Sequence, residues 1–150
     1  SSLASRTPPS EQERSVWREE LRSRRAQYTQ GRLNYAKGLQ NDLFGSHNIA
    51  EGKFNTGRGY KNVLVGDGNY AEGERNFAFD KDNRILGKNN VAAGFANTVI
   101  GVDNAANGDK NKVKGKSNIA LGDHNLVYGY LNVANGEKNI VHGDKNEAFG

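Results

Sequence analysis

Three aspartates, Asp67, Asp80 and Asp82, fall within about one repeat of one another and are the acids best placed to collect a cation. Calcium takes about six to eight oxygen ligands. The Gly-Gly-x-Gly-x-Asp repeat that supplies them in calcium-binding rolls is missing here. A local bulge at Asp80 is the expectation instead. His47, His124 and His142 sit at different places in the repeat and have no ligand spacing. There is no Cys, and no Ser or His recurs at matched positions to pair a nucleophile with a base. The sequence has 19 glycines, but none makes a Gly-rich loop joining a strand to a helix, so no phosphate cradle is expected. The chain is expected to be non-enzymatic, with no catalytic residue, metal or cofactor.

What recurs is a pair of structural residues. From Asn34, every seventh residue through Asn146 is Asn. From Gly31, every seventh residue through Gly150 is Gly, except Asp80; Gly57 and Gly68 alone lie off that series. Each unit reads Asn-x-c-x-Gly-x-x, where c is small or aliphatic. A coiled coil needs large apolar residues at two positions of each heptad. Here one of those positions would be Gly, which costs about 1 kcal/mol against Ala in a helix. As a short strand, Asn, c and Gly share one face, and the x residues between them share the other. The two residues after Gly would turn the chain, with Gly and Asn as the residues expected to take left-handed backbone values. Stacked Asn side chains would hydrogen-bond from coil to coil.

From Ile85 the c position alternates: Ile85, Ala92, Val99, Ala106, Val113, Ala120, Val127, Ala134, Val141, Ala148. The true unit is therefore fourteen residues, with two short strands per coil. Opposed large and small residues fill a thin core evenly. The fold class is all-β, a parallel β-solenoid of roughly eight coils and about 40 Å in length at about 4.8 Å per coil.

The outward residues separate the two strands. Strands with Ala inside carry Val63/Val65, Phe77/Phe79, Val91/Ala93 and Ile119/Leu121 outward. A contiguous apolar face of this kind marks an association surface. Its cover would be another chain or the protein's own N-terminal helix. Strands with Val inside carry a mixed outward set suited to water, such as Arg84/Leu86 and Lys112/Lys114. Ice binding by a flat solenoid face wants ordered Thr rows. Only Thr56 and Thr98 lie on the Val-strand face, so ice binding is not expected.

The pattern resembles the head repeat of trimeric autotransporter adhesins, the YadA-like head, over about residues 29–150. The nearest segment is Asn118-Ile119-Ala120-Leu121-Gly122 followed by Asn125-Leu126-Val127-Tyr128-Gly129. The resemblance implies a left-handed β-roll that trimerises through Val63, Val65, Phe77, Phe79, Val91, Ala93, Ile119 and Leu121, and a cell-surface or extracellular setting. Departures from that family are Asn in place of Ser, Val inside the second strand, and polar Asn107, Asn135 and Glu147 on the contact face.

Residues 1–9 read as a Ser-rich disordered leader or the tail of a targeting peptide. Residues 10–28 read as an amphipathic capping helix opened by a Ser10–Glu13 capping box. Trp17, Leu21 and Tyr28 are its anchor for a partner. Residues 29–150 are the β-roll. With no Met, Ser1 is not a translation start, and a processed product or a fragment is expected. A second reading is therefore a rigid subunit of a large complex, inside an organelle after transit-peptide cleavage, docked to unlike subunits. No apolar run is long enough to cross a membrane. The net charge is +4, and Lys110, Lys116 and Lys145 alternate with Asp109, Asp123, Glu137 and Asp144. That is a solvated surface rather than a nucleic-acid track.

Overall fold

The computed structural model describes residues 10–12, 14, 15 and 27–150. Two parallel sheets face each other across a core one side chain thick. The Val sheet holds β1 (Tyr28–Arg32), β3 (Asp42–Ser46), β5 (Thr56–Tyr60), β7 (Tyr70–Glu74), β9 (Arg84–Lys88), β11 (Thr98–Val102), β13 (Lys112–Lys116), β15 (Leu126–Tyr130) and β17 (Ile140–Asp144). The Ala sheet holds β2 (Tyr35–Leu39), β4 (Ile49–Lys53), β6 (Val63–Asp67), β8 (Phe77–Lys81), β10 (Val91–Phe95), β12 (Ala105–Asn107), β14 (Ile119–Leu121), β16 (Val133–Asn135) and β18 (Glu147–Phe149). Each strand pairs in parallel with the strand fourteen residues on, as in Val99↔Val113 and Ala92↔Ala106. The chain is a parallel β-solenoid of nine coils, one more than the repeat predicts.

The extra coil comes from Gln27 and Tyr28. Gln27 stands seven residues before Asn34, and its side-chain amide donates to the Gly38 carbonyl. Asn34 makes the same bond to Gly45. Tyr28, expected in the helix as an anchor residue, instead opens β1. Its N–H donates to the Asn41 carbonyl at 3.0 Å, the bond made by the first residue of every later strand through β16. Its ring lies 5.4 Å from Phe44. Of the helix expected over residues 10–28, most lies outside the described residues. Glu11, Gln12, Arg14 and Ser15 are helical, and the Arg14 N–H donates to the Ser10 carbonyl at 2.9 Å. Glu13, Trp17 and Leu21 lie outside the described residues.

Two backbone positions turn each coil. The ladder glycine is one. Gly101 has φ +126°, and a Cβ there would lie 1.9 Å from the Gly115 carbonyl oxygen. The residue just before each Asn is the other, with φ between 53° and 59° from Leu33 to Lys145. Gly68 takes that same slot at φ 70°, which accounts for one of the two glycines off the ladder. The turn falls on the two residues after Gly, as the repeat predicts; the left-handed residue is the second of them, while the Asn amide is kept for bonds inside the corner. No Val, Ile or Thr occupies the slot, in keeping with the clash that β-branched residues meet there.

Asp80 does not bulge. It keeps the register Gly66↔Asp80 and Asp80↔Gly94, and adopts φ 74° in a glycine slot. Aspartate is among the few residues that tolerate this region.

The core is a column of small side chains from Leu43 to Val141, all at most 4% exposed. Gly57 is its one empty position. A Cβ there would meet Leu43 Cδ2 at 2.8 Å and Leu64 Cδ1 at 3.0 Å. Gly57 is thus the volume that the two leucines displace, and it accounts for the second glycine off the ladder. Overpacking a filled core costs about 1–3 kcal/mol, and Leu→Ala in a core about 2–5 kcal/mol. Gly57→Val and Leu64→Ala should each destabilise. Combined, they should cost about 1 kcal/mol less than their sum, read from denaturant unfolding. Asp80→Gly should raise stability by about 1 kcal/mol by removing a left-handed non-glycine residue.

Candidate functional site

The corners fix where every outward side chain stands. At Asn97 the side-chain NH2 donates to the Ala93 carbonyl at 3.0 Å and to the Gly108 carbonyl at 2.6 Å. Its backbone N–H donates to Asn83 Oδ1 at 3.0 Å, and its own Oδ1 accepts the Asn111 N–H at 2.9 Å. Asn48 through Asn132 repeat this with at most 1% exposure. Among the described residues, no buried side-chain nitrogen or oxygen lacks a partner. Each outward residue is therefore carried on a lattice with one strand spacing in one direction and one two-residue step in the other.

On the Ala sheet this lattice aligns the expected association residues. Val63, Phe77 and Val91 are register neighbours in one row, and Val65, Phe79 and Ala93 are neighbours in the next. Ile119 and Leu121 continue the two rows on β14, beyond Ala105 and Asn107 of β12. Phe77 and Phe79 lie with ring centroids 6.4 Å apart and planes 14° from parallel. Val65, Phe77, Phe79, Val91, Ile119 and Leu121 are each 36–39% exposed. From β6 to β16 the two rows hold no charged residue. This strip is five strand spacings, or about 24 Å, in length. Asp67, Lys81, Asp123 and Glu137 stand beyond it, past the ladder glycines.

The Val sheet is divided differently. Over β5 to β9 its charges have partners. The Arg58 guanidinium lies 5.3 Å from the Phe44 ring centre, and that of Arg84 lies 5.5 Å from Tyr70. The Tyr70 hydroxyl donates to Glu72. Lys88 and Arg75 both reach Glu74, at 3.3 and 3.5 Å. Farther along, Lys112, Lys114 and Lys116 stand in a row on β13, all exposed. Sequence reading placed Lys112 and Lys114 outward on this strand but put Lys116 in a turn; β13 extends through Lys116 and completes the row.

Among the described residues, no three His, Asp or Glu side chains come together as a metal group. Asp67, Asp80 and Asp82 lie on adjacent coils, where Asp67 Oδ1 accepts the Lys53 N–H. No helix of the described residues is long and apolar enough to cross a membrane.

A family model of grass antifreeze β-rolls matches residues 60–150. The chain belongs to the grass antifreeze β-roll family. No curated protein matches it.

The Tyr70 phenol is held above its ordinary 10.0, first by its hydrogen bond to Glu72, then by burial and the Glu72 charge, against Arg58 and Arg84. A carboxylate acceptor favours the protonated phenol. In ultraviolet difference titration, Glu72→Gln should therefore lower the pH at which Tyr70 ionises.

Proposed function

We propose that this chain is a non-enzymatic binding module that adsorbs to ice through the outward face of its Ala sheet. The observation that carries the reading is the charge-free double row from Val63 to Asn135 on a fixed lattice, in a chain whose family is named for antifreeze rolls. A charged group holds liquid-like water too strongly to share it with a crystal face. Apolar groups leave their neighbouring water free to order. The buried Asn corners keep the rows from shifting as the surface engages. The Val sheet suits this poorly, because Thr56 and Thr98 stand among Arg58, Glu72, Arg84, Lys112 and Lys114. A count of Thr rows weighs against that sheet and leaves the other untouched.

A second reading uses the same residues. The face is uneven, with Phe79 beside Ala93 and Ala105 between Val91 and Ile119, and an uneven apolar patch favours a complementary protein surface. On that reading Val63, Val65, Phe77, Phe79, Val91, Ala93, Ile119 and Leu121 join three copies, as in an adhesin head, or dock the roll to unlike subunits.

Ice recrystallisation and light scattering separate the two. The chain is expected to restrain crystal growth as a monomer, and Val91→Lys should abolish the effect while circular dichroism stays unchanged. A trimer that Val63→Asp dissociates, with no action on ice, would replace the first reading with the second.

A further inference from the structure

The basic row on the Val sheet has no acid on either flanking strand; the nearest in its rows is Asp144, two strands from Lys116. The outward residues of β11, β13 and β15 are Thr98, Ile100 and Val102, then Lys112, Lys114 and Lys116, then Leu126, Tyr128 and Tyr130. Register sets Lys112 between Thr98 and Leu126, Lys114 between Ile100 and Tyr128, and Lys116 between Val102 and Tyr130. Among the described residues, none of the three lysines has a carboxylate within ion-pair distance. The same sheet neutralises or covers its charges from β5 to β9, so the imbalance is local. Lys110 and Lys138 add positive charge at the adjoining corner, where they line a hollow with Lys112 and His124. Asp109, Asp123 and Glu137, next to them in sequence, lie toward the Ala sheet.

We infer that this face binds the surface of an anionic lipid bilayer. Three features select that partner. The lysines lie along about 13 Å of one strand and can each meet a headgroup. Aliphatic and tyrosine side chains flank them on both sides, with Val102 and Tyr130 37% and 40% exposed. Such residues gain from contact with the acyl boundary, where tyrosine is at home. A linear polyanion would use the lysines and leave Ile100, Val102 and Leu126 in water. Finally, a hollow of about 260 Å³ between the strands is lined by Thr98, Ile100, Lys112, Val113, Lys114 and Tyr128. It sets two ammonium groups beside an aliphatic and a ring wall, which fits a phosphate or carboxylate headgroup and the glycerol end beneath it. Contact is peripheral, since nothing on this face is long enough to span a bilayer.

The test is co-sedimentation of residues 1–150 with phosphatidylcholine vesicles, with and without phosphatidylserine. Binding should require phosphatidylserine and weaken as salt rises. Changing Lys112→Glu, Lys114→Glu and Lys116→Glu together should reduce partitioning on the order of 100-fold, from roughly five-fold per lysine. Those side chains point outward, so circular dichroism should be unchanged. Val91→Lys, on the opposite sheet, should bind vesicles as the parent does, which separates this face from the one proposed for ice. Equal partitioning onto phosphatidylcholine alone, or full binding by the triple variant, would overturn the inference. So would lysine-dependent binding to heparin or an oligonucleotide without binding to vesicles.

Discussion

The structure depends on a side-chain amide that replaces a second turn of backbone hydrogen bonds at every corner. A core of Ala and Val one side chain thick buries too little apolar surface per residue to hold a chain by itself. The Asn side chain adds what is missing. It donates to carbonyls four and eleven residues away and accepts from the coil that follows, with each group sealed from water. A buried amide with every bond made contributes stability, whereas one left unpaired costs about 1–3 kcal/mol. The sequence between corners is thereby released. Any outward residue is tolerated if the Asn, the core residue and the Gly recur.

That release explains why the two faces differ so much in chemistry while sharing one backbone. Register is fixed at fourteen residues, so each outward side chain meets its equivalent from the coils before and after. A run of similar residues at one position becomes a row on the surface. Apolar residues at two positions of the Ala strands give a charge-free strip, and three lysines on one Val strand give a cationic line. Charges in the Val sheet's earlier coils settle against rings and carboxylates, as Arg84 does over Tyr70. Lys114 has Ile100 and Tyr128 for neighbours and no such outlet.

The seven-residue ladder and the Val/Ala alternation were enough to read the solenoid, its fourteen-residue coil and the direction of every side chain. They follow from strand period and residue volume, which are local. Three details were not read. The left-handed slot lies at the residue before Asn, and its lack of β-branched residues from Leu33 to Lys145 was a usable signal. Gln27 extends the ladder through a longer amide, so a search for Asn stops one rung short. Asp80 fits a glycine slot by taking φ 74°, a compromise that composition does not reveal. The surface was harder. The Ala-strand face was legible as apolar from alternation alone, whereas the length of its charge-free rows appears only once the strands are stacked.

The roll also shows how far the core pattern can drift before the fold responds. The strict alternation begins at Ile85. Before it the core reads Leu43, Ala50, Gly57, Leu64, Ala71 and Ala78, and the family match begins only at residue 60. Yet strands pair in the same register from Tyr28 onward. Large residues at Leu43 and Leu64 are balanced by the missing side chain of Gly57, so the sheets need not separate. Volume is conserved across neighbouring coils rather than within each one. The corner bonds can therefore remain uniform, because they depend on the spacing between sheets and not on which residue fills it.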